Sequence, residues 1–386
     1  MRCVPILVLL TTTGALAQSV INPGRLSAAL KDFDRGFRDL PLQCEVMPIK
    51  PALNFGFRFQ SGYVVRVPMS QYRGSGHAWT ILSRITPAGE GREPVYLIVR
   101  TVLPDIPPTR ISLEVGGSYL LGEGRYDVAW KMMDDSGRVC SHRWTIDARL
   151  TRSERLVKVA MPANTVSDLS LRGVPQTRQT DDAAPIRLTV LMHAAPLNPR
   201  RTRMSPRDHM MLLGTLSSLL ERVPVRSVRL VVFNLDQQKE LFRQESFVPQ
   251  SLGQVARSIG ALELDLVNYS VLRNRGGHLD LLADLVNGEL AAKEPSDVVL
   301  FLGPQARTYD KVPRDELEKP PVGGPRFFYF QYRPVFLQQQ ATFPDTINRA
   351  VSRLKGKTVV IHTPGEFAKA IDQMERRPAP MPGSSQ

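Results

Sequence analysis

The fold of the second half of the chain is decided by the stretch IRLTVLMHAAP, residues Ile186–Pro196. Its residues up to Met192 are apolar apart from Arg187 and Thr189, which is typical of a strand buried inside a parallel sheet. The apolar run ends abruptly at His193. In α/β folds, ligands bind in the loops at the carboxyl ends of such strands. The stretch therefore predicts a strand followed by a loop where a ligand would bind.

Strands and helices alternate after this stretch. Ser205 and Pro206 are a typical N-cap and first residue of a helix, and apolar residues recur at helical spacing beyond them. Further strands are predicted at Val228–Phe233, Asp297–Leu302, Arg326–Tyr332 and Thr358–Ile361. Further helices are predicted at Ser251–Leu262, His278–Leu290, Thr346–Leu354 and Pro364–Met374. The alternation predicts a doubly wound α/β domain over residues 186–377, with a mostly parallel sheet covered on both faces.

The pattern differs in the first half, where residues 42–150 alternate with a period of two. Phe55, Phe57 and Phe59 alternate with Gly56 and Arg58, for example, as in a half-buried strand. Short strand candidates are separated by turn residues, with no helical signal between them. This pattern predicts an antiparallel β-sandwich. Its aromatic residues are interpreted as core packing, with a carbohydrate platform as the alternative.

The remaining segments are assigned from composition. Residues 1–17 resemble a signal peptide, with Arg2, the apolar run Val4–Leu10 and the cleavage pattern Ala15-Leu16-Ala17. The mature protein is therefore expected to be exported to the periplasm or the extracellular space. No later apolar run approaches the roughly 18 residues of a membrane helix, so no membrane span is expected. Residues 18–41 are predicted to be helical, 151–185 to be a linker and 378–386 to be a disordered tail.

The expected export determines which cysteines the mature chain keeps and that they lie in an oxidising compartment. Removal of residues 1–17 takes Cys3 with it and leaves Cys44 and Cys140. Two cysteines in an oxidising compartment favour one disulfide, which would close the N-terminal domain. Two buried free thiols are the alternative.

Charge and motifs limit the functions to consider. The formal net charge of +13 favours anionic partners in general. We find no helix-turn-helix, zinc-finger spacing or aromatic–basic interleaving, so no specific nucleic-acid partner is predicted. There is no Gly-x-Ser-x-Gly elbow, phosphate loop, dinucleotide fingerprint or His-Glu-x-x-His. The sequence therefore predicts a protein that is not an enzyme, has no catalytic residues and needs no cofactor.

The order of elements from Ile186 to Met374 resembles a von Willebrand factor type A domain. Its landmarks are the opening strand with its long helix, the run beginning Gly276-Gly277-His278, and the strand Val298–Gly303. The segment from Gly124 to Trp130, with Tyr126, resembles the entry to a late strand of an immunoglobulin-like domain. The whole chain is similar to exported bacterial von Willebrand-A-related proteins that carry an immunoglobulin-like sandwich before the α/β domain.

The resemblance implies where a metal-ion-dependent adhesion site would lie. In that family an Asp-x-Ser-x-Ser loop, a threonine and a later aspartate hold Mg²⁺, a hard ion that requires oxygen ligands. The corresponding positions here are His193, Ala195, Leu197, His278 and Gly303, none of which supplies such an oxygen. The site is degenerate by this comparison, so no metal is predicted.

The leading hypothesis is an exported, metal-independent module that binds an unknown protein partner or serves as a scaffold. One alternative is a transition-metal-dependent binder or enzyme that uses His193 and His278, since imidazole suits such metals. Asp208 and Asp280 could lie near these histidines. A second alternative is a charge-driven binder of anionic polymers, whose affinity would fall steeply with salt.

Overall fold

The computed structural model describes residues 18–22, 41–169, 185–264, 269–313, 315–333 and 344–376. The chain is a multidomain, β-rich protein with two compact units. Among the described residues, the first unit contains 18–22, 41–54, Arg58–Arg149 and 159–169, and the second contains Phe55–Phe57, Leu150–Lys158 and everything from 185 onward. The predictions for the signal peptide and the C-terminal tail lie outside the described residues.

The first unit consists of two antiparallel sheets. The strands are β1 (Ser19–Ile21), β2 (Glu45–Leu53), β3 (Phe59–Pro68), β4 (Ala78–Pro87), β5 (Val95–Val102), β6 (Ser112–Leu121), β7 (Gly124–Asp134), β8 (Val139–Ala148) and β9 (Val166–Asp168). One sheet has the order β1-β5-β4-β7-β8 and the other β2-β3-β6-β9. All pairings within them are antiparallel, which is the arrangement that the period-two pattern predicted.

An apolar core lies between these two sheets. Tyr63 and Val65 from one sheet pack in the same buried cluster as Trp79 and Trp130 from the other. The ring centroids of Tyr63 and Trp130 are 5.3 Å apart, in an edge-to-face arrangement. A sandwich therefore forms because each strand presents its alternate apolar residues to a shared interior.

Two covalent or polar ties close this sandwich. A disulfide joins Cys44 and Cys140, whose Cα atoms are 6.3 Å apart and which are separated by 96 residues. The hydroxyl of Tyr126 donates a hydrogen bond to the carbonyl of Gly122 at 2.9 Å. Gly122 tolerates no side chain, because an added Cβ would lie 1.8 Å from the Pro162 carbonyl oxygen.

Three sequence predictions are corrected in and around this unit. Residues 18–41 were predicted to be helical, but Ser19–Ile21 form strand β1 because they pair with β5; residues 23–40 lie outside the described part of the chain. The predicted linker 151–185 contains β9, since Val166–Asp168 pair with β6. Phe55–Phe57 form a turn and not a strand, and Phe57 has a φ of +52°. The sequence predicted a strand here because alternating apolar residues are typical of half-buried strands.

The second unit is built on one six-stranded sheet. Its strands are β10 (Ile186–His193), β11 (Val225–Asn234), β12 (Lys239–Gln244), β13 (Val298–Pro304), β14 (Arg326–Tyr332) and β15 (Lys357–Ile361). The order is β12-β11-β10-β13-β14-β15, with β12 antiparallel and the others parallel. The described helices are α1 (Pro206–Arg222), α2 (Leu252–Gly260), α3 (Tyr269–Arg273), α4 (Gly277–Leu290), α5 (Thr346–Arg353) and α6 (Pro364–Glu375). Strand β12 and helix α3 were missed by the sequence reading.

Helices cover both faces of this sheet. On one face, Leu282 of α4 and Ile347 of α5 share a buried cluster with Tyr329 of β14. On the other face, Phe367 of α6 contacts Phe330, at a centroid distance of 6.2 Å. The turn Phe55–Phe57 belongs to this unit, and Phe57 stacks on Phe367 at 5.4 Å. The central strands are apolar on both sides because both sides are buried.

Helix ends follow from local chemistry. The Ser205 side chain accepts a hydrogen bond from the backbone N–H of Asp208, and the Asp208 side chain accepts one from the backbone N–H of Ser205. Helix α1 therefore begins with a complete capping box. Thr363 and Glu366 form the same device at α6. Among the described residues, no helix is long and apolar enough to cross a membrane.

Candidate functional site

The parallel strands of the second unit all point the same way, so their carboxyl ends share one edge of the sheet. We call the loops that follow β10, β11 and β13, at residues 194–205, 235–238 and 305–311, the carboxyl edge, together with Asp345 at the start of α5. In parallel α/β sheets this edge is where ligands bind.

His193 and Gly303 are brought together at the centre of this edge. His193 is the last residue of β10 and is 1% exposed. Gly303, in the neighbouring strand β13, has a φ of +152°. An added Cβ at Gly303 would lie 2.5 Å from the carbonyl oxygen of His193. A side chain is therefore excluded at Gly303, where the adhesion site of the resembled family has its aspartate.

The other implied positions have separate roles. Ala195 and Leu197 are buried apolar residues of the loop after β10. His278 lies in the first turn of α4, with its Nε2 atom 3.0 Å from Oδ2 of Asp310. Asp310 belongs to the loop after β13 and its side chain is 63% exposed. The structure therefore pairs His278 with a carboxylate that the sequence reading did not single out.

The residues present do not fit the Mg²⁺ of the resembled family. Ala195, Leu197 and Gly303 offer no side-chain oxygen. Asp208, a carboxylate considered above, is committed to the protein: it accepts hydrogen bonds from the backbone N–H groups of Leu197, at 3.1 Å, and Ser205, at 2.6 Å. Within the ranges that the structure describes, no group of three or more His, Cys, Asp or Glu side chains is placed to hold a metal ion.

Asn234 holds the first loop of the edge in place. Its side chain is fully buried at the end of β11. The Nδ2 atom donates to the carbonyl of Ala194 at 2.7 Å, and Oδ1 accepts from the backbone N–H of Gln237 at 2.7 Å. A buried amide that is satisfied on both sides fixes the backbone it contacts. The loop after β10 is therefore tied at Ala194 by Asn234 and at Leu197 by Asp208.

Asp345 holds the loop after β13. Its carboxylate is fully buried and accepts from the backbone N–H groups of Ala306, at 2.8 Å, and Asn348, at 2.7 Å. It also accepts from the Tyr329 hydroxyl at 3.0 Å and from Nε2 of Gln331 at 3.1 Å. Burial raises the pKa of Asp345 above its usual value, although these donors oppose the rise. Four neutral donors thus compensate one buried acid.

His193 is a buried polar side chain at the centre of the edge, and one of its ring nitrogens has no hydrogen-bond partner among the described residues. Burial lowers its pKa, so the ring is neutral, although the nearby Asp236 carboxylate opposes that shift. Nδ1 lies 3.3 Å from the carbonyl oxygen of Pro304, an acceptor, so we assign the ring proton to Nδ1. Nε2 is then a buried acceptor with no hydrogen-bond partner within the described structure. Asp236 itself forms an ion pair with Nε of Arg307, at 3.3 Å.

Sequence reasoning missed Asp236, Arg307, Asp310 and Asp345 at this edge. Asp236 comes two residues after the buried strand β11, and Asp345 comes directly before the helix that it caps. Both positions carry a recognisable signal, since polar residues after an apolar strand or before a helix indicate loops and caps. Arg307 and Asp310 carry no such signal, because only the fold brings their loop beside His193 and His278.

Comparisons with known proteins add little to this picture. No protein-family model and no curated protein matches the chain. Among solved structures, a structural-genomics target designated SoR45 is 16% identical, covers 30% of this chain and 95% of its own, and has a TM-score of 0.18. A Bordetella pertussis protein provisionally named ApaA is 13% identical, covers 29% of this chain and 99% of its own, and has a TM-score of 0.20. These similarities support no statement about function.

Proposed function

We propose that this chain is an exported, non-enzymatic binding module of the von Willebrand-A-like type, in which the carboxyl edge contacts a protein partner without a metal ion. An immunoglobulin-like sandwich would carry the α/β domain. The order of strands and helices in the second unit supports the von Willebrand-A-like type, because the parallel strands and covering helices follow the order expected of such domains. Export rests on the sequence pattern of residues 1–17.

One observation carries the metal-independent part of the proposal. Two carboxylates of the edge, Asp208 and Asp345, accept hydrogen bonds from backbone N–H groups of the edge loops. These bonds hold the loops in one arrangement, and rigid loops on a rigid sheet lower the ordering cost of binding. The edge is thus built as a preformed surface, on which the exposed Arg200 and Arg201 are available to a partner.

The test compares the two ends of the same sheet. The mature protein would be used to capture partners from its own envelope fraction, with quantification by mass spectrometry, with and without EDTA. Arg200→Glu changes an exposed residue at the carboxyl edge. Arg226→Glu makes the same change at an exposed residue near the start of β11, at the opposite end. We expect Arg200→Glu alone to reduce capture, and EDTA to leave it unchanged.

Two outcomes would overturn the proposal. Equal capture by both variants would mean that the carboxyl edge is not the binding surface. Capture that EDTA abolishes and added metal restores would mean that binding needs a metal ion.

A second candidate function is favoured by the unpartnered Nε2 of His193. Histidines that bind metals commonly donate their other ring N–H to a backbone carbonyl, as His193 Nδ1 does to Pro304. A transition-metal site would then use His193 with Asp236 as the nearby carboxylate. Elemental analysis of the purified protein tests this reading, because it requires a stoichiometric metal that His193→Gln removes. A metal content that is unchanged in that variant would exclude it.

A further inference from the structure

A cavity in the second unit lies between the loop after β13 and helix α5. Its volume is about 380 Å³, within the range of small ligand sites. Three cationic side chains line it, Lys311 from the loop and Arg349 and Arg353 from the helix, together with the polar Asn348 and Ser352. None of the described residues that line it carries a carboxylate. The cavity therefore collects positive charge from two different elements.

The two arginines are held in position by backbone carbonyls. They are four residues apart on α5, so they lie on the same side of the helix. Nε of Arg349 donates to the carbonyl of Pro344 at 3.1 Å. Nη1 of Arg353 donates to the carbonyls of Val312 and Pro313, at 3.1 and 2.8 Å. A guanidinium carries five N–H groups, so the Nε bond of Arg349 uses only one of its donors.

Two carboxylates on the flanking elements, Asp345 and Asp310, are engaged elsewhere. Asp345, which caps α5, is fully buried and bonded to Ala306 and Asn348. Asp310, next to Lys311, is paired with His278. Like charges at this helical spacing destabilise a helix slightly. Arg353, in the last turn, also interacts favourably with the helix dipole, but that reason does not extend to Arg349 or Lys311.

We propose that this cavity, with Lys311 and Arg349 as its main contacts, binds the side-chain carboxylates of an acidic segment of the partner protein. Arginine binds carboxylates through paired, parallel N–H bonds, and a second cation on the facing wall adds specificity for a doubly acidic sequence. The proposal rests on the protein-binding function above and names the chemistry that the partner presents. A free small dicarboxylate has the same chemistry, and the experiment separates the two.

The test measures binding of a fluorescein-labelled hexaglutamate peptide to the mature protein by fluorescence anisotropy at low salt. The double variant K311Q/R349Q removes two positive charges from the cavity. The matched control R257Q/K293Q removes two charges from exposed positions on α2 and after α4. We expect the Kd to rise about tenfold in K311Q/R349Q and to stay within about twofold of wild type in the control.

Each outcome of the binding, competition and capture measurements decides one point. Equal weakening in both double variants, or no binding to the wild type, would overturn the proposal, because attraction would then be general or absent. Unlabelled glutarate that competes as strongly as unlabelled hexaglutamate would show that the ligand is a small dicarboxylate and not a peptide. Circular dichroism spectra that superimpose on wild type establish that the variants are folded. If the partner captured from the envelope fraction binds K311Q/R349Q normally, this inference fails while the proposed function stands; if wild type captures no partner, the proposed function fails instead.

Discussion

Both units of the molecule bury an aspartate, and they compensate its charge in different ways. In the first unit, Asp134 is 4% exposed and accepts from the backbone N–H groups of Ser136 and Arg138, and from the Arg138 side chain. In the second unit, Asp345 is fully buried and its four hydrogen-bond donors are neutral.

This difference shows how each aspartate serves its surroundings. Asp134 and Arg138 lie four residues apart, and Nη2 of Arg138 is 2.7 Å from Oδ2 of Asp134, so the pair closes a single hairpin turn. Asp345 instead connects a loop, a strand and a helix that are distant in sequence, because its donors come from Ala306, Tyr329 and Asn348. Asp134 acts mainly within one turn, with a single distant donor in the Tyr72 hydroxyl at 3.2 Å, whereas Asp345 organises the carboxyl edge of the sheet.

The two units can be followed separately in solution. The chain has three tryptophans, and Trp79, Trp130 and Trp144 all belong to the first unit. All the α-helices that the structure describes belong to the second unit. Tryptophan fluorescence therefore reports on the first unit, and circular dichroism at 222 nm reports mainly on the second.

The largest expected effect is that of Asp345→Ala. The change leaves four buried donors without their acceptor, which should destabilise the second unit by about 4 kcal/mol. Urea unfolding followed by circular dichroism measures this loss. The fluorescence transition of the first unit serves as the internal control. A loss below about 1 kcal/mol would contradict the organising role of Asp345.

Arg138→Ala should have the next largest effect, in the first unit. It removes the charged partner of a buried carboxylate and leaves Asp134 with backbone and hydroxyl donors only, at a cost of about 3 kcal/mol. Urea unfolding followed by tryptophan fluorescence is the measurement. The double variant Asp134→Asn/Arg138→Ala should recover part of the loss, because no unpaired charge remains. No recovery would mean that the packing of Arg138 on the Tyr72 ring, 4.9 Å away, is what matters.

The smallest expected effect is a dependence of stability on pH. Because the folded pKa of Asp345 is raised, the folded state binds a proton that the unfolded state has lost, and stability should fall as pH rises from the usual value of 3.8 through that raised pKa. For His193 the folded pKa is lowered, so stability should fall as pH drops below 6.5. Urea unfolding of the second unit across this pH range is the measurement.

Two variants separate these opposite contributions. The free energy of unfolding of wild type minus that of Asp345→Asn should decrease as pH rises. The free energy of unfolding of wild type minus that of His193→Gln should increase as pH rises. Two differences with the same slope would show that one of the assigned directions is wrong.

Much of the second unit could be predicted from the sequence. The short apolar runs around Leu188, Val231 and Leu300 are typical of buried strands. Ser205-Pro206 specifies the start of a helix by local chemistry alone. Strand β12 could not be predicted, because its sequence KELFRQ is polar on an exposed edge and becomes a strand only by pairing with β11. The same reason applies to β9, which pairs with β6.

The candidate site divides in the same way. The sequence by itself determined that His193 ends the first strand of the α/β domain, that Ala195 and Leu197 occupy the loop after it, and that none of the three offers an oxygen to a hard metal ion. Only the tertiary structure decided that Gly303 lies against His193, that Asp310 pairs with His278, and that Lys311 faces a cavity with the arginines of α5. Residue types and local periodicity are read along the chain, whereas these contacts join loops that only the sheet order makes neighbours.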